Sequence, residues 1–331
     1  MAVLIVGGAG YIGSHIVRAL RTKGTDVVVF DNLEKGHREA IADVPLYRGD
    51  LRNKQDVHAV FKQYGISAVM HFSAYSLVGE SMEKPALYYE NNLYGTLNLI
   101  TAMKDAGIRH FIFSSTAAVF GEPREVPITE DHPTNPTNVY GETKLAVEKM
   151  LDWYDNIHGL KSVRLRYFNA AGADPSGEIG ELHSPESHLI PLVLQAALGE
   201  RDSISIFGND YDTRDGTCIR DYIHVNDLAD AHILALDYLQ AENSSAVFNL
   251  GNGSGYSVRE IIDVAEKVTG RDIPVKQAER RPGDPAVLIA ASEKAKEILA
   301  WRPKLYDIET ILETAWKWHS GNVHAWRRPE R

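Results

Sequence analysis

Two side chains capable of proton chemistry stand four residues apart in Tyr140-Gly141-Glu142-Thr143-Lys144. If Asn138 caps a helix over this segment, Tyr140 and Lys144 share one helical face. A tyrosine is a poor base near neutral pH, because its ordinary pKa is about 10. A lysine ammonium one turn away favours the phenolate, and a second positive charge nearby favours it further. An oxidised nicotinamide ring is the simplest source of that second charge. Upstream, the apolar run His110-Phe111-Ile112-Phe113 leads into Ser114-Ser115-Thr116-Ala117-Ala118-Val119-Phe120-Gly121. Thr116, closing such a strand, would bring a hydroxyl to the same substrate oxygen. Taken alone, Tyr-x-x-x-Lys also describes an ordinary solvated helix face, so the chemistry needs an independent signature.

The start of the chain carries one. Val3-Leu4-Ile5-Val6 is a short continuous apolar run, the pattern of a parallel strand buried on both faces. Gly7-Gly8-Ala9-Gly10-Tyr11-Ile12-Gly13 follows, then an amphipathic segment from Ser14 to Lys23, then Asp26-Val27-Val28-Val29-Phe30 ending in Asp31. Strand, glycine turn, helix, strand, acid is the order of a dinucleotide-binding unit. Glycines let the backbone approach a pyrophosphate, and the helix N-terminus offers unpaired N–H groups with a partial positive charge. Asp31 would accept hydrogen bonds from the adenosine ribose. Its charge repels a 2′-phosphate, which favours NAD over NADP.

These residues need a scaffold, and strands and helices keep alternating. Pro45 to Leu51 reads as a third strand, whose Asp50 would face the adenine amino group, and Ala68 to Ala74 as a fourth. Pro85 opens a long helix through Met103 containing Asn91 and Asn92, which have no propensity reason to be there. Lys161 to Phe168 is a sixth strand. The pattern predicts an α/β fold with a doubly wound parallel, Rossmann-type sheet. Near Gly172 the chain becomes turn-rich and the segments shorten. The expected division is an NAD-binding domain over residues 1–170, with returning segments near 225–250, and a smaller mixed α/β substrate lobe over 171–331. That stretch should hold a helix from Val225 to Leu239 capped by Asn226, a strand at Val247 to Gly251 and a helix from Ser257 to Val268. A tail helix from Asp307 to His319 should place Trp316 and Trp318 in the core.

Composition narrows the function classes. The chain has 331 residues, 44% hydrophobic and 24% charged, as in a soluble globular protein. A formal net charge of −10 argues against a nucleic-acid or anionic-membrane surface. The single cysteine, Cys218, cannot form an intramolecular disulfide, which suits a reducing cytoplasm, and its neighbours offer no base for a nucleophile. No apolar run is long enough for a signal-peptide core or a membrane span, so a soluble cytoplasmic protein is expected. Among 13 histidines no helical His-x-x-x-His pair occurs, and His183 with His188 has no obvious third ligand, so no metal is expected.

Together the glycine cluster, Asp31, Thr116, Tyr140 and Lys144 resemble the extended short-chain dehydrogenase/reductase superfamily. More narrowly, five segments are similar to the UDP-glucose 4-epimerase family and follow in order along nearly the whole chain. They are Asp31-Asn32-Leu33, His71-Phe72-Ser73-Ala74, Tyr167-Phe168-Asn169-Ala170-Ala171-Gly172, Ile206-Phe207-Gly208-Asn209-Asp210-Tyr211 and Arg220-Asp221-Tyr222-Ile223-His224-Val225. The resemblance implies a UDP-hexose in the cleft between the lobes, interconverted between UDP-galactose and UDP-glucose. It implies Tyr140 as the base, Lys144 on the nicotinamide ribose and Thr116 on the sugar. Gly7, Gly10, Tyr11, Ile12, Gly13, Asp31, Asn32, Leu33, Asp50, Leu51, Phe72, Ser73, Ala74, Ser76, Asn91 and Phe168 would join Tyr140 and Lys144 around NAD. Asn169, His188, Leu189, Ser205, Ile206, Phe207, Arg220 and the run Arg281-Pro282-Gly283-Asp284 would hold the UDP; two arginine forks suit a diphosphate.

The implied chemistry is removal of the 4-hydroxyl proton by Tyr140 with passage of the C4 hydride to NAD. A 4-keto sugar then turns over while its UDP stays anchored, and hydride returns to the opposite face. Dehydratases of the same superfamily carry an Asp-Glu pair after the threonine; Ala117 and Ala118 stand there instead and have no proton to move. Ala74-Tyr75-Ser76 replaces a Gly-Leu-Lys-type run, and Phe120 stands where tyrosine is frequent. Leu288 falls where the family often has a bulky tyrosine lining the sugar pocket, so room near C2 for UDP-N-acetylhexosamines is expected. Rival readings are a UDP-hexuronate 4-epimerase, a dehydratase or decarboxylase, and a non-catalytic NAD-binding regulatory module. The resemblance implies a homodimer, with Lys84 to Met103 and Tyr140 to His158 as the candidate interface; the alternative is that their apolar residues face the sheet.

Overall fold

The continuous apolar runs become strands buried on both faces. The computed structural model describes residues 1–281, 283–321 and 326. Six strands come first: β1 (Ala2–Val6), β2 (Val27–Asp31), β3 (Leu46–Arg48), β4 (Ile66–His71), β5 (His110–Thr116) and β6 (Lys161–Tyr167). The helices between them are α1 (Tyr11–Thr22), α2 (Lys54–Gln63), α3 (Val78–Glu83), α4 (Pro85–Tyr88), α5 (Gly95–Asp105) and α6 (Val139–His158). Then follow β7 (Asn169–Ala171), α7 (Leu189–Leu198), β8 (Ile204–Phe207), β9 (Ile219–His224), α8 (Val225–Glu242) and β10 (Ala246–Leu250). The chain continues through β11 (Gly255–Ser257), α9 (Val258–Thr269), β12 (Val275–Ala278), β13 (Val287–Leu288), α10 (Glu293–Ile298) and α11 (Ile308–Ser320).

The main sheet has seven strands in the order β10-β6-β5-β4-β1-β2-β3, each pair parallel. Helices α1 and α8 bury Ile16, Val17, Leu228 and Leu236 on one face, while α2, α5 and α6 bury Val57, Leu99, Met103 and Val147 on the other. The fold is the expected doubly wound, Rossmann-type one. Because α1 and α5 lie on opposite faces, the connections diverge between β1 and β4 and open a crevice at the carboxyl ends of the strands. Both α8 and β10 return to this layer, with β10 pairing beside β6.

The smaller region is built around β9. It pairs with β7 and β13 in parallel and with β11 in antiparallel fashion, while β12 and β8 form a separate parallel pair. Helices α7, α9 and α11 close its core around Val193, Ile206, Ile261 and Leu312. Trp318 is fully buried and its Nε1 donates to Glu181 O at 2.9 Å. Trp316 is only partly buried, under the Arg271 guanidinium. No helix among the described residues is long and apolar enough to cross a membrane.

Two helix expectations change. The cap of α8 is His224, whose Nδ1 accepts from Asn226 N at 3.1 Å, because β9 stays extended up to His224 and leaves Asn226 inside the first turn. The long helix after Pro85 is not uniform: a π-turn at Tyr89–Tyr94 separates α4 from α5. Both asparagines sit buried in this wider turn. Asn92 Oδ1 accepts from Tyr75 N at 2.9 Å, and its Nδ2 lies 2.9 Å from Tyr75 O and 3.2 Å from Thr143 Oγ1. Such turns recur at functional sites, and this one ties the loop after β4 to α6.

Candidate active site

The residues that could hold a dinucleotide lie at successive strand ends. Gly7 follows β1, Asp31 ends β2, Asp50 follows β3, Phe72 follows β4, Thr116 ends β5 and Phe168 follows β6. Gly7 has φ +78°, and a Cβ there would come within 2.5 Å of Ser73 N; at Gly13 it would lie 2.3 Å from Gly7 O. Gly10 starts α1 with no side-chain cap and no acid in the first turn, so Tyr11 and Ile12 enter the helix with anion-binding N–H groups open. A pyrophosphate fits this cradle. Asp31 accepts from Ala9 N (3.0 Å) and Leu33 N (2.8 Å), so it also fastens the glycine loop to β2. Burial pushes its carboxyl above the usual range while those two bonds pull it back.

Asp50 is less free than expected. Arg52 donates to both of its oxygens, at 2.9 and 2.6 Å, and Asn32 Nδ2 lies 3.1 Å away, so hydrogen bonds from Arg52 hold Asp50 at about 2 despite partial burial. Leu51 sends its side chain into the sheet core, which leaves only backbone for a ligand. Along the loop after β4, Ser73 and Ala74 are half-buried and Ser76 is exposed. Tyr75 was not among the expected contacts. Its hydroxyl donates to Glu34 Oε1 at 2.6 Å, joining the loops after β4 and β2. Asn91 stands behind Asn92, donating to its Oδ1 at 3.0 Å.

The catalytic candidates meet as the spacing predicts. Asn138 Oδ1 accepts from Gly141 N at 2.8 Å, which starts α6 just before Tyr140. Thr116 lies opposite Tyr167 in the β5–β6 register, its Oγ1 accepts from Ala118 N at 3.1 Å, and its hydroxyl is near enough to Tyr140 to favour the phenolate. Lys144 Nζ donates to Ser114 O at 2.8 Å and lies 5.9 Å from the centre of the Tyr140 ring. The electrostatics depart from expectation. Burial raises Tyr140 above its ordinary range, with the Thr116 bond pulling it partly back. Burial also lowers Lys144 to about 7, opposed by Glu148. Desolvation therefore outweighs the Lys–Tyr attraction when no other cation is near, and the pair rests as a neutral phenol beside a weakened ammonium.

Beneath this pair is a layer that the sequence reading missed. Glu148 and Arg166 form a buried two-point ion pair, Nε to Oε1 at 3.0 Å and Nη2 to Oε2 at 2.6 Å, and Ser115 donates to the same carboxylate. Glu148 follows Lys144 by four residues on α6, so the helical period that paired Tyr140 with Lys144 would have found it.

On the substrate side the candidates scatter more. Asn169 sits half-buried on β7. Phe168 shares a buried cluster with Ala117, Val119 and Leu145, and Leu288 packs against that cluster. Leu288 also lies opposite Arg220 in the β13–β9 pair, and Arg220 is ion-paired to Asp284. Arg281 lays its guanidinium 4.0 Å from the centre of the Phe207 ring. Ser205 is half-buried on β8, whereas Ile206 turns into the lobe core and offers no side chain to a ligand. Pro282 of the Arg281–Asp284 run lies outside the described residues. Leu189 begins α7 partly buried, and His188 is its N-cap.

His188 corrects a second expectation. Its Nδ1 lies 2.7 Å from Glu181 Oε1 and 3.2 Å from Glu186 Oε1, while His183 Nδ1 lies 3.1 Å from Glu181 Oε1 and 3.7 Å from Glu186 Oε2. The two histidines do have further ligand-type neighbours, brought in by the turns of the loop before α7.

The family described as NAD dependent epimerase/dehydratase matches residues 3–251. A UDP-glucose 4-epimerase of Halalkalibacterium halodurans is 56% identical over 326 residues, 98% of each chain. The chain belongs to this family, among its UDP-glucose 4-epimerases. The crystal structure of UDP-glucose 4-epimerase from Bifidobacterium longum in complex with NAD+ and UDP is 40% identical, with a TM-score of 0.92 over 97% of this chain and 99% of that one. The UDP-Glc/GlcNAc 4-epimerase of Campylobacter jejuni is 44% identical, with a TM-score of 0.85 over 96% and 99% of the chains. The family is NAD dependent, and the glycine cradle with Asp31 fits that cofactor.

Proposed function

We propose that the chain inverts C4 of a UDP-hexose, interconverting UDP-galactose and UDP-glucose through a 4-keto sugar. The observation that carries this is the Tyr140–Thr116 hydroxyl pair standing beside Ala117 and Ala118. One proton-moving group suffices for a reversible oxidation at one carbon; elimination of water needs a second. Thr116 orients the sugar 4-hydroxyl toward Tyr140, which takes its proton and later returns it. Bound NAD, held by the glycine cradle and Asp31, supplies a reversible hydride acceptor, so no net redox occurs and the cofactor stays with the protein. Lys144 anchors to Ser114 O and orients toward the nicotinamide ribose, and Arg220 with Arg281 binds the diphosphate.

Leu288 supports a broader sugar range. A leucine packed against the cluster that holds Ala117 and Phe168 leaves space near C2, so UDP-N-acetylhexosamines are substrates, as the name of the Campylobacter jejuni relative describes for that protein. The assembly is a homodimer. Trp153 and Ile157 on α6 are 65% and 66% exposed, and Tyr94 and Leu97 add apolar surface at the start of α5. A second copy of the same helix pair covers such a face. Trp153→Glu should halve the mass measured by light scattering; an unchanged mass would remove this assembly. The lone Cys218, buried and unpaired, fits a cytoplasmic location.

The function is tested with purified protein, no added NAD and UDP-galactose, following the sugar nucleotides by NMR. The same galactose–glucose mixture reached from either side supports the reading. A 4-keto-6-deoxy product contradicts it.

A further inference from the structure

In the cluster before α7 only His188 is expected at the substrate, and none of its four side chains takes part in the proton transfer above. Glu181, His183, Glu186 and His188 come from one eight-residue loop, and one donor atom from each lies within 4.8 Å of all the others. Four contacts between carboxylate and imidazole measure 2.7, 3.1, 3.2 and 3.7 Å. Nitrogen and oxygen donors bound tetrahedrally at about 2.0–2.1 Å stand about 3.3 Å apart, so these separations bracket the edge of a zinc tetrahedron.

A second observation points into the same space. His183 Nδ1 is buried, yet has no aligned hydrogen bond, although two carboxylates are near. The surroundings hold the donors in place. Glu186 Oε1 accepts from Ser187 N (2.8 Å) and His188 N (2.9 Å), which leaves Oε2 clear of backbone donors. Glu181 is fastened through its carbonyl to Trp318 Nε1, and Lys35 Nζ donates to Ser184 O at 2.8 Å. Outer contacts of this kind fix ligands for a metal. Two carboxylates and two neutral imidazoles carry −2 in total, which a divalent cation cancels.

We propose that Glu181, His183, Glu186 and His188 bind one divalent transition cation, zinc best matching the two-nitrogen, two-oxygen set. The site is structural: four protein donors close the coordination sphere. It cross-links the loop leading into α7, which meets the cofactor-binding edge where Tyr11, at the start of α1, packs edge-on to His183 at 6.4 Å. With Nδ1 on the metal, His188 keeps Nε2 as its one ring nitrogen for other partners.

The test uses the full chain, stripped with a chelator, re-equilibrated with micromolar ZnCl2, dialysed and assayed for bound metal. The site predicts about one zinc per chain, with His183→Gln and Glu186→Gln each retaining less than about a tenth of that. Amide exchange across residues 181–190 should slow when zinc is added to wild type. Circular dichroism of each variant separates lost metal from lost fold. Wild type that retains no zinc, or variants that retain as much as wild type, would overturn the site and leave the four groups as an ion-pair network. Unchanged amide exchange with zinc bound would overturn the clamp.

Discussion

Two buried charged clusters in this molecule respond to burial in opposite ways. Lys144 rests against a carbonyl and two aromatic rings, with no carboxylate in contact among the described residues, and falls to about 7. His183 is also penalised by burial, yet Glu181 and Glu186 beside it raise it to about 9. Partner count decides the outcome. The anion nearest Lys144 along α6, Glu148, is taken by Arg166 in a two-point pair. Lys144 is thereby left sensitive to the next charge that arrives, whereas the loop cluster already balances itself or a metal.

The largest expected effect is on the sensitive side. Tyr140→Phe should lower turnover by about 10²–10⁴-fold, the usual share of a general acid–base group, with an unchanged circular dichroism spectrum. Near-normal turnover would remove Tyr140 from its role. Next, Glu148→Ala strands Arg166 without its carboxylate and should cost about 3–5 kcal/mol in urea unfolding. A loss under about 1 kcal/mol would mean that solvent and the Glu130 carbonyl, which Arg166 Nη1 already meets at 3.2 Å, satisfy the guanidinium.

A pH series sharpens the contrast. The folded pKa of Lys144, about 7, lies below its unfolded value of about 10.4. Between them the unfolded chain binds the extra proton, so this residue makes stability rise with pH across that window. Below about pH 7 the buried charge weighs fully against the fold. Unfolding of NAD-free Lys144→Met should therefore show a shallower rise between pH 7 and 10 than wild type does; equal slopes would contradict the burial account. The smallest effect concerns specificity. Leu288→Tyr should reduce the ratio of N-acetylated to plain sugar turnover by about tenfold, and an unchanged ratio would detach Leu288 from the C2 pocket.

The same contrast explains what the sequence made legible. The dinucleotide unit was readable because Val3–Val6, the glycines and Asp31 carry local signals of fixed spacing, and backbone geometry turns each directly into position. Tyr140, Lys144 and Asn138 were readable through the helical period, which also contained Glu148. Asn92 showed as an anomaly in a helix, but its partners Tyr75 and Thr143 lie 17 and 51 residues away. The loop from Glu181 to His188 has neither period nor strand alternation, so only its turns reveal that four donors converge. Ile206 illustrates the other limit: alternation along β8 sends its side chain inward, which leaves only backbone for the role that family resemblance implied.

At the centre of this account, Tyr140 is a neutral phenol in the NAD-free protein and becomes a usable base when the positively charged cofactor sits beside it. The direct measurement is an ultraviolet tyrosinate titration of wild type and Tyr140→Phe, each with and without bound NAD. One tyrosinate, absent from the variant, should ionise at lower pH with NAD than without. Identical titrations in the two states would contradict it.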